Sequence, residues 1–259
     1  MLLPRVLTAA VGIPVLLGLI HAGGLAWTVF TVAVSVLCVY EYGLILAAGG
    51  RPVQRYVLLL CGALLAASVA GGAPASAVLT LVVAAVVLRE MFGRVRSLER
   101  MGFTLFGALF LGWLPAHLAL LRDLRPDGEK LTFLLFACVW MMDTAAYAVG
   151  KACGRHKLSE ISPQKTWEGA AAGWIAAVAG AALLQRLLAP EILGWRAALV
   201  LGGLIGVCGQ LSDLAESMVK RAVDAKDSGN ILPGHGGVWD RFDSFILAAP
   251  VAYYFLVLK

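Results

Sequence analysis

The chain has 259 residues, 60% of them hydrophobic and only 14% charged, with a mean hydropathy of +0.84. A soluble domain carries about 25% charged residues, so the composition excludes an ordinary water-soluble globule and points to a polytopic membrane protein. The net charge of +5 comes without a basic run interleaved with aromatics. It is therefore assigned to membrane orientation and phosphate binding, with no nucleic acid as partner.

The apolar runs predict an all-α fold with about nine transmembrane helices. They lie near 6–22, 25–46, 56–71, 75–89, 102–121, 131–150, 168–189, 197–216 and 244–258, each near the ~20 residues a bilayer needs. The first run follows Arg5 and lacks a clear small-residue cleavage site, so it is kept as a span rather than a signal peptide. Gly23-Gly24, Gly49-Gly50, Gly71-Gly72 and Pro74 mark the early turns. The five cysteines are scattered without a CxxC pair, which indicates small apolar core residues rather than a zinc site or disulfides.

With the N-terminus inside, the inner connections hold Arg5; Arg51 and Arg55; Arg89, Arg94, Arg96 and Arg100; Lys151, Arg155, Lys157 and Lys165; and Lys220, Arg221, Lys226 and Arg241. These are 15 of the 21 lysines and arginines. The positive-inside rule then predicts a cytoplasmic N-terminus and two cytoplasmic polar loops in the C-terminal half. No internal repeat is evident. Residues 1–259 read as one membrane domain, with 1–130 mainly scaffold spans and 131–259 the catalytic part.

Three polar elements carry the candidate chemistry. The first is MMDTAAYAVGK, which places Asp143 in the middle of an apolar helix. A charge there costs about 2.5–3.5 kcal/mol on insertion scales, which favours a functional role over a helix-packing hydrogen bond. The second is GRHKLSEISPQKTWEG, Gly154 to Gly169. Its Ser162, Lys165, Thr166 and Glu168 lead into a helix N-terminus that Ser162 or Thr166 could cap and where phosphate oxygens are favoured. An ordinary positive-inside loop explains its composition equally well. No GxxxxGK[ST] occurs, so this is not a P-loop.

The third and densest element is GQLSDLAESMVKRAVDAKDSGNILPGHGGVWDRFD, Gly209 to Asp243. Its first half reads as helix, and Asp213, Glu216, Ser217 and Lys220 share one stripe by their spacing. Arg221 borders that stripe. A loop follows with Lys226, Asp227 and the PGHGG turn containing His235, then Asp240, Arg241 and Asp243. Taken singly, these acids could be a solvated helix end or a cap, and His235 a turn residue. Together, carboxylates and cations are what a magnesium-bound phosphate substrate needs. Trp167 and Trp239 could stack on a base or sit at the membrane interface.

The run SMVKRAVDAKDSGNILPGHGGVWDRFDS, Ser217 to Ser244, resembles the signature of the phosphatidate cytidylyltransferases, or CDP-diacylglycerol synthases. It has a serine, a Lys-Arg pair, a Lys-Asp pair, a Pro-x-His-Gly-Gly turn and an Asp-Arg-x-Asp close. DTAAYAVGK and SPQKTWEG are similar to that family as well, so the resemblance covers about the last 120 residues. It implies transfer of a cytidylyl group from CTP to phosphatidic acid, with release of pyrophosphate. It also implies a Mg2+ requirement, with Asp213, Asp240 and Asp243 as metal ligands, and a homodimer.

On that reading Asp213, Lys220, Arg221, Asp240 and Asp243 are catalytic. Asp143, Ser162, Lys165, Thr166, Glu168, Ser217, Lys226, Asp227, His235 and Arg241 bind substrate, and a second cation could join the first. The lipid phosphate is already anionic, so the chemistry needs charge neutralisation and in-line positioning more than a strong base. The rivals are a CTP-using lipid kinase, which releases CDP; an ion-coupled transporter, which would often show paired halves; and a structural subunit. The absence of a long soluble extension suggests a bacterial inner-membrane enzyme with its active site facing the cytoplasm.

Overall fold

The computed structural model describes residues 3–188, 190–232, 234 and 236–259. Those residues form helices α1 (Leu3–Ala22), α2 (Gly24–Ala48), α3 (Arg55–Ala70), α4 (Ala75–Met91), α5 (Leu98–Gly107), α6 (His117–Arg122), α7 (Gly128–Cys153), α8 (Trp167–Leu188), α9 (Trp195–Arg221), α10 (Trp239–Phe242) and α11 (Phe245–Leu258). A π-helical turn, Ala108–Trp113, joins α5 towards α6. It precedes Pro115, which cannot donate an N–H, and the Leu114 N–H reaches back five residues to the Leu109 carbonyl. The predicted span 102–121 is this one composite rod.

Six segments among the described residues are long and apolar enough to cross a membrane: Gly24–Ala48, Leu98–Arg122, Gly128–Cys153, Trp167–Leu188, Trp195–Arg221 and Trp239–Leu258. The all-helical, polytopic character expected from composition is present, but the described residues do not confirm the count of nine. The other three predicted spans do form helices. However, α3 has 16 residues and α4 has 17, and at 1.5 Å per residue α3 is about 24 Å long, short of the ~30 Å hydrocarbon thickness.

The chain divides into two compact units, Met1–Leu120 with Lys220–Phe242, and Leu121–Val219 with Asp243–Lys259. The polar stretch Gly209 to Asp243 has residues in both units.

In the first unit α2 is the central helix, packed against α1, α3, α5 and the π turn. Its buried side includes Trp27, Val34, Cys38, Tyr42 and Leu46. The Trp27 indole N–H donates to the Leu118 carbonyl at 2.9 Å, and the Tyr42 hydroxyl donates to the Phe103 carbonyl at 2.9 Å. Each large ring thus finds a partner for its polar tip. A polar lock ties α3, α4 and α5 together. Gln54 Nε2 donates to Glu90 at 2.7 Å, and Arg100 Nη2 lies 2.6 Å from the same carboxylate.

In the second unit α7, α8 and α9 pack through small residues. A Cβ at Gly202 of α9 would lie 2.8 Å from the Ala177 carbonyl oxygen of α8, so only glycine permits that approach. Trp174 adds an indole bond to the Gly203 carbonyl at 3.2 Å. In lipid, where apolar burial gives little drive for helices to associate, such close fit is what holds them together. Helix α11 joins α7 through Phe136 and Phe245, with ring centroids 4.3 Å apart.

Candidate active site

The second unit builds an acid cluster from two helix ends. Asp213 and Glu216 are three residues apart on α9 and share a face. Asp243 adjoins Ser244, the N-cap of α11. The Ser212 hydroxyl donates to the Asp243 carbonyl oxygen and accepts from the Leu247 N–H at 3.3 Å. One buried serine thereby fixes the start of α11 against α9 and brings Asp243 to the pair. Oxygens of Asp213, Glu216 and Asp243 all lie within 4.8 Å of one another. Glu216 is 1% exposed.

Lys165 Nζ sits 2.5 Å from Asp213 Oδ2. The loop that delivers it is closed by backbone bonds from Leu158 N to Lys165 O at 2.8 Å and from Trp167 N to His156 O at 2.9 Å. Thr166 caps α8, its Oγ1 accepting from the Gly169 N–H at 3.1 Å, as its position predicts. Glu168 serves the loop itself. One oxygen accepts from the Arg155 and His156 amides at 3.2 and 3.3 Å, and the other lies 2.6 Å from His156 Nδ1. Glu168 is thus spent on the Arg155–His156 side of the loop, and Thr166 takes up one N–H of the α8 first turn. Lys165 is turned to the acid cluster.

In the first unit Asp240, expected as a metal ligand, is engaged by its own neighbours. Its Oδ1 lies 2.8 Å from Lys220 Nζ, and its Oδ2 accepts from the Ser228 and Gly237 amides at 3.0 and 2.8 Å. Lys220 is 9% exposed. The acid group that could hold a metal therefore contains Glu216 beside Asp213 and Asp243. Asp240 instead pairs with Lys220 and accepts from two loop amides.

Arg221, Lys226, Asp227 and Arg241 are exposed, and Arg221 Nη1 donates to the Ala225 carbonyl at 3.1 Å. Ser217 is half-buried on α9. Asp143 lies at an exposed position on α7 and outside the acid group. His235 and Pro233 lie outside the described residues; the Leu232 N–H donates to the Gly236 carbonyl at 3.0 Å. Trp239 is completely buried, edge-on to Tyr42 at 5.8 Å, so it is not available to stack on a base. Trp167 is exposed.

Two acids carry more of this geometry than their sequence setting suggested. Glu216 was legible as a member of the Asp213 stripe but not as a buried partner of Asp243. Glu41, a lone acid in an apolar helix, is buried.

The chain is 32% identical over 286 residues to the phosphatidate cytidylyltransferase of Synechocystis sp., covering 98% of this chain and 96% of that protein. It is 38% identical over 256 residues to the phosphatidate cytidylyltransferase of Brucella suis, covering 97% and 92%. Against the protein of that name from Bacillus subtilis it is 42% identical over 185 residues, covering 70% and 66%. The model of the cytidylyltransferase family matches residues 3–259, nearly the whole chain, and the chain belongs to that family.

Proposed function

We propose that this chain is an integral-membrane phosphatidate cytidylyltransferase. It joins CTP and phosphatidate to give CDP-diacylglycerol and pyrophosphate. The observation that carries this reading is the acid group of Asp213, Glu216 and Asp243 beside Lys165, in a chain similar along nearly its whole length to proteins of that name. A phosphate oxygen of the lipid attacks the α-phosphorus of CTP, a new P–O bond forms, and the bond to the β-phosphate breaks with pyrophosphate leaving. The nucleophile arrives anionic, so the residues must chiefly neutralise charge and hold the groups in line.

Three carboxylates so close offer the hard oxygen donors that magnesium takes, so the donor set fits the ion. Held by Asp213, Glu216 and Asp243, it would supply charge neutralisation at the reacting phosphates. Lys165 presents its ammonium to the triphosphate while balancing the acids. Ser162 and Thr166 shape the loop that carries it. Lys220, Arg221, Lys226 and Arg241 serve the phosphatidate phosphate, with Asp240 orienting Lys220. The site faces the cytoplasm, on the strength of the lysine and arginine distribution, and the similarity to bacterial proteins supports the inner membrane of a bacterial cell as its bilayer.

The test is incubation of the purified protein with labelled CTP, phosphatidate and magnesium, with lipid and water-soluble products both identified. Labelled CDP-diacylglycerol with pyrophosphate is expected. Release of CDP with a newly phosphorylated lipid would replace this reading with that of a kinase.

A further inference from the structure

We infer that Glu41 is a positioning residue for the Asp240–Lys220 pair, acting through the loop from Ser228 to Trp239. The inference rests on the proposed function in treating Lys220 as a phosphate-handling cation. All the groups involved belong to the first unit.

Glu41 lies on α2, a helix long and apolar enough to span a membrane, and is 1% exposed. An acid there is costly unless its oxygens are satisfied, and the satisfaction comes from a distant part of the chain. Oε1 accepts from the Val238 N–H at 2.8 Å. Oε2 accepts from the Ser228 hydroxyl at 2.8 Å and from the Trp239 N–H at 2.9 Å. A Cβ at Gly237 would collide with Ser228 Oγ and Glu41 Oε2, so the loop backbone comes this close only as glycine. Trp239, fully buried against the neighbouring Tyr42, pins the same corner from its apolar side.

Ser228 couples the two carboxylates. Its hydroxyl donates to Glu41, while its amide donates to Asp240 at 3.0 Å. Gly237 gives its amide to Asp240 at 2.8 Å, and the next two amides go to Glu41. Four backbone N–H groups, one hydroxyl and the Lys220 ammonium are therefore shared between two acids. Glu41 fixes the loop, the loop amides fix Asp240, and Asp240 holds Lys220 Nζ at 2.8 Å. Charge-assisted bonds of this type are short and directional, so loss of one acid releases the orientation of the other. None of these groups makes Glu41 a reactant; it acts on the reaction through the loop.

The test is Glu41→Gln in the full chain, which keeps the shape but turns an amide NH2 towards N–H and O–H donors. Hydrogen exchange of residues 236–240 should accelerate at least about tenfold, with that of 247–258 unchanged. Steady-state kinetics with CTP and phosphatidate should show kcat lower by about ten- to a hundredfold, the loss of a charge-assisted contact. Both KM values should stay within about threefold, because a positioning defect acts in the transition state. Wild-type exchange in the loop, or faster exchange with wild-type kcat, overturns the inference.

Ser228→Ala removes only the hydroxyl contact and serves if the first variant does not fold. It should shift exchange and kcat in the same direction by less, and wild-type values for it overturn the inference as well. If the wild-type protein itself does not make CDP-diacylglycerol, the proposed function has failed, and loop exchange in the variants still decides whether Glu41 clamps the loop.

Discussion

Replacing Glu216 by glutamine separates a metal-binding acid group from a merely structural one. With oxygens at most 4.8 Å apart, each pair of like charges repels by about 3 kcal/mol at an effective dielectric of 20. Glu216 takes part in two such pairs, and its loss also forfeits attraction to Lys165, which lies 2.5 Å from Asp213. The net expectation is a metal-free variant more stable than wild type by about 1–3 kcal/mol.

Magnesium acts in the opposite sense. At a hundredfold its dissociation constant it stabilises the folded protein by about 2.7 kcal/mol, equivalent to a rise in Tm of about 5–10 °C. Thermal unfolding in detergent, with EDTA and then over a magnesium series, gives both quantities for both proteins. Wild type should gain those degrees with magnesium. The variant should start higher and gain almost nothing. A variant that starts lower and keeps the full magnesium shift would refute the assignment of Glu216 to the metal group and the charge argument with it.

Lys165→Ala should raise the KM for CTP, and Arg221→Ala that for phosphatidate, each by about ten- to a hundredfold. Equal effects of both variants on both substrates, read by varying each substrate in turn, would mean one undivided phosphate site. Single cysteines in loops 155–165 and 226–232, in a cysteine-free background, should resist an impermeant thiol reagent in intact cells and react after permeabilisation. Labelling in intact cells contradicts the inward orientation. The Arg100 guanidinium beside Glu90 is the leading cause that holds its carboxyl at about 2, below the ordinary 4.5. A carboxylate depressed on folding adds stability above its unfolded value and loses it as pH falls from about 4.5 towards 2. Unfolding at pH 6 and pH 3 should therefore show a fall that Glu90→Gln lessens, and an equal fall in both proteins would contradict it.

The helices were legible because lipid imposes long apolar runs, and the differences lie where that signal stops. The run near 197–216 takes in Asp213 and Glu216, and α9 continues past it to Arg221, because a helix goes on after its apolar stretch is spent. The acid group was partly legible. Asp213 and Glu216 show helical spacing, but burial of Glu216 is a tertiary fact.

Asp240 and Asp243 stand three apart in the sequence, a spacing that could mark a helix cap. Helix α10 ends at Phe242, so no regular helix carries both, and each acid takes its own partners. The partners of Glu41 lie 187 to 198 residues away, beyond any local pattern. Trp239 shows the same limit, since an aromatic beside a motif reads as a stacking platform until its burial is seen.

The glycine contact between α8 and α9 has a consequence for how this protein comes apart. Each helix keeps its own hydrogen-bonded ladder in lipid, because the hydrocarbon offers the backbone no other partner, whereas the seam at Gly202 rests on close fit and a few side-chain bonds such as that of Trp174. Loosening in a bilayer then proceeds by helices drifting apart as intact cylinders, with far-UV ellipticity preserved while tryptophan environments such as that of Trp174 change. A bulkier residue at Gly202 would lower the temperature of the second signal and leave the first where it was, so secondary and tertiary order would be lost in separate stages.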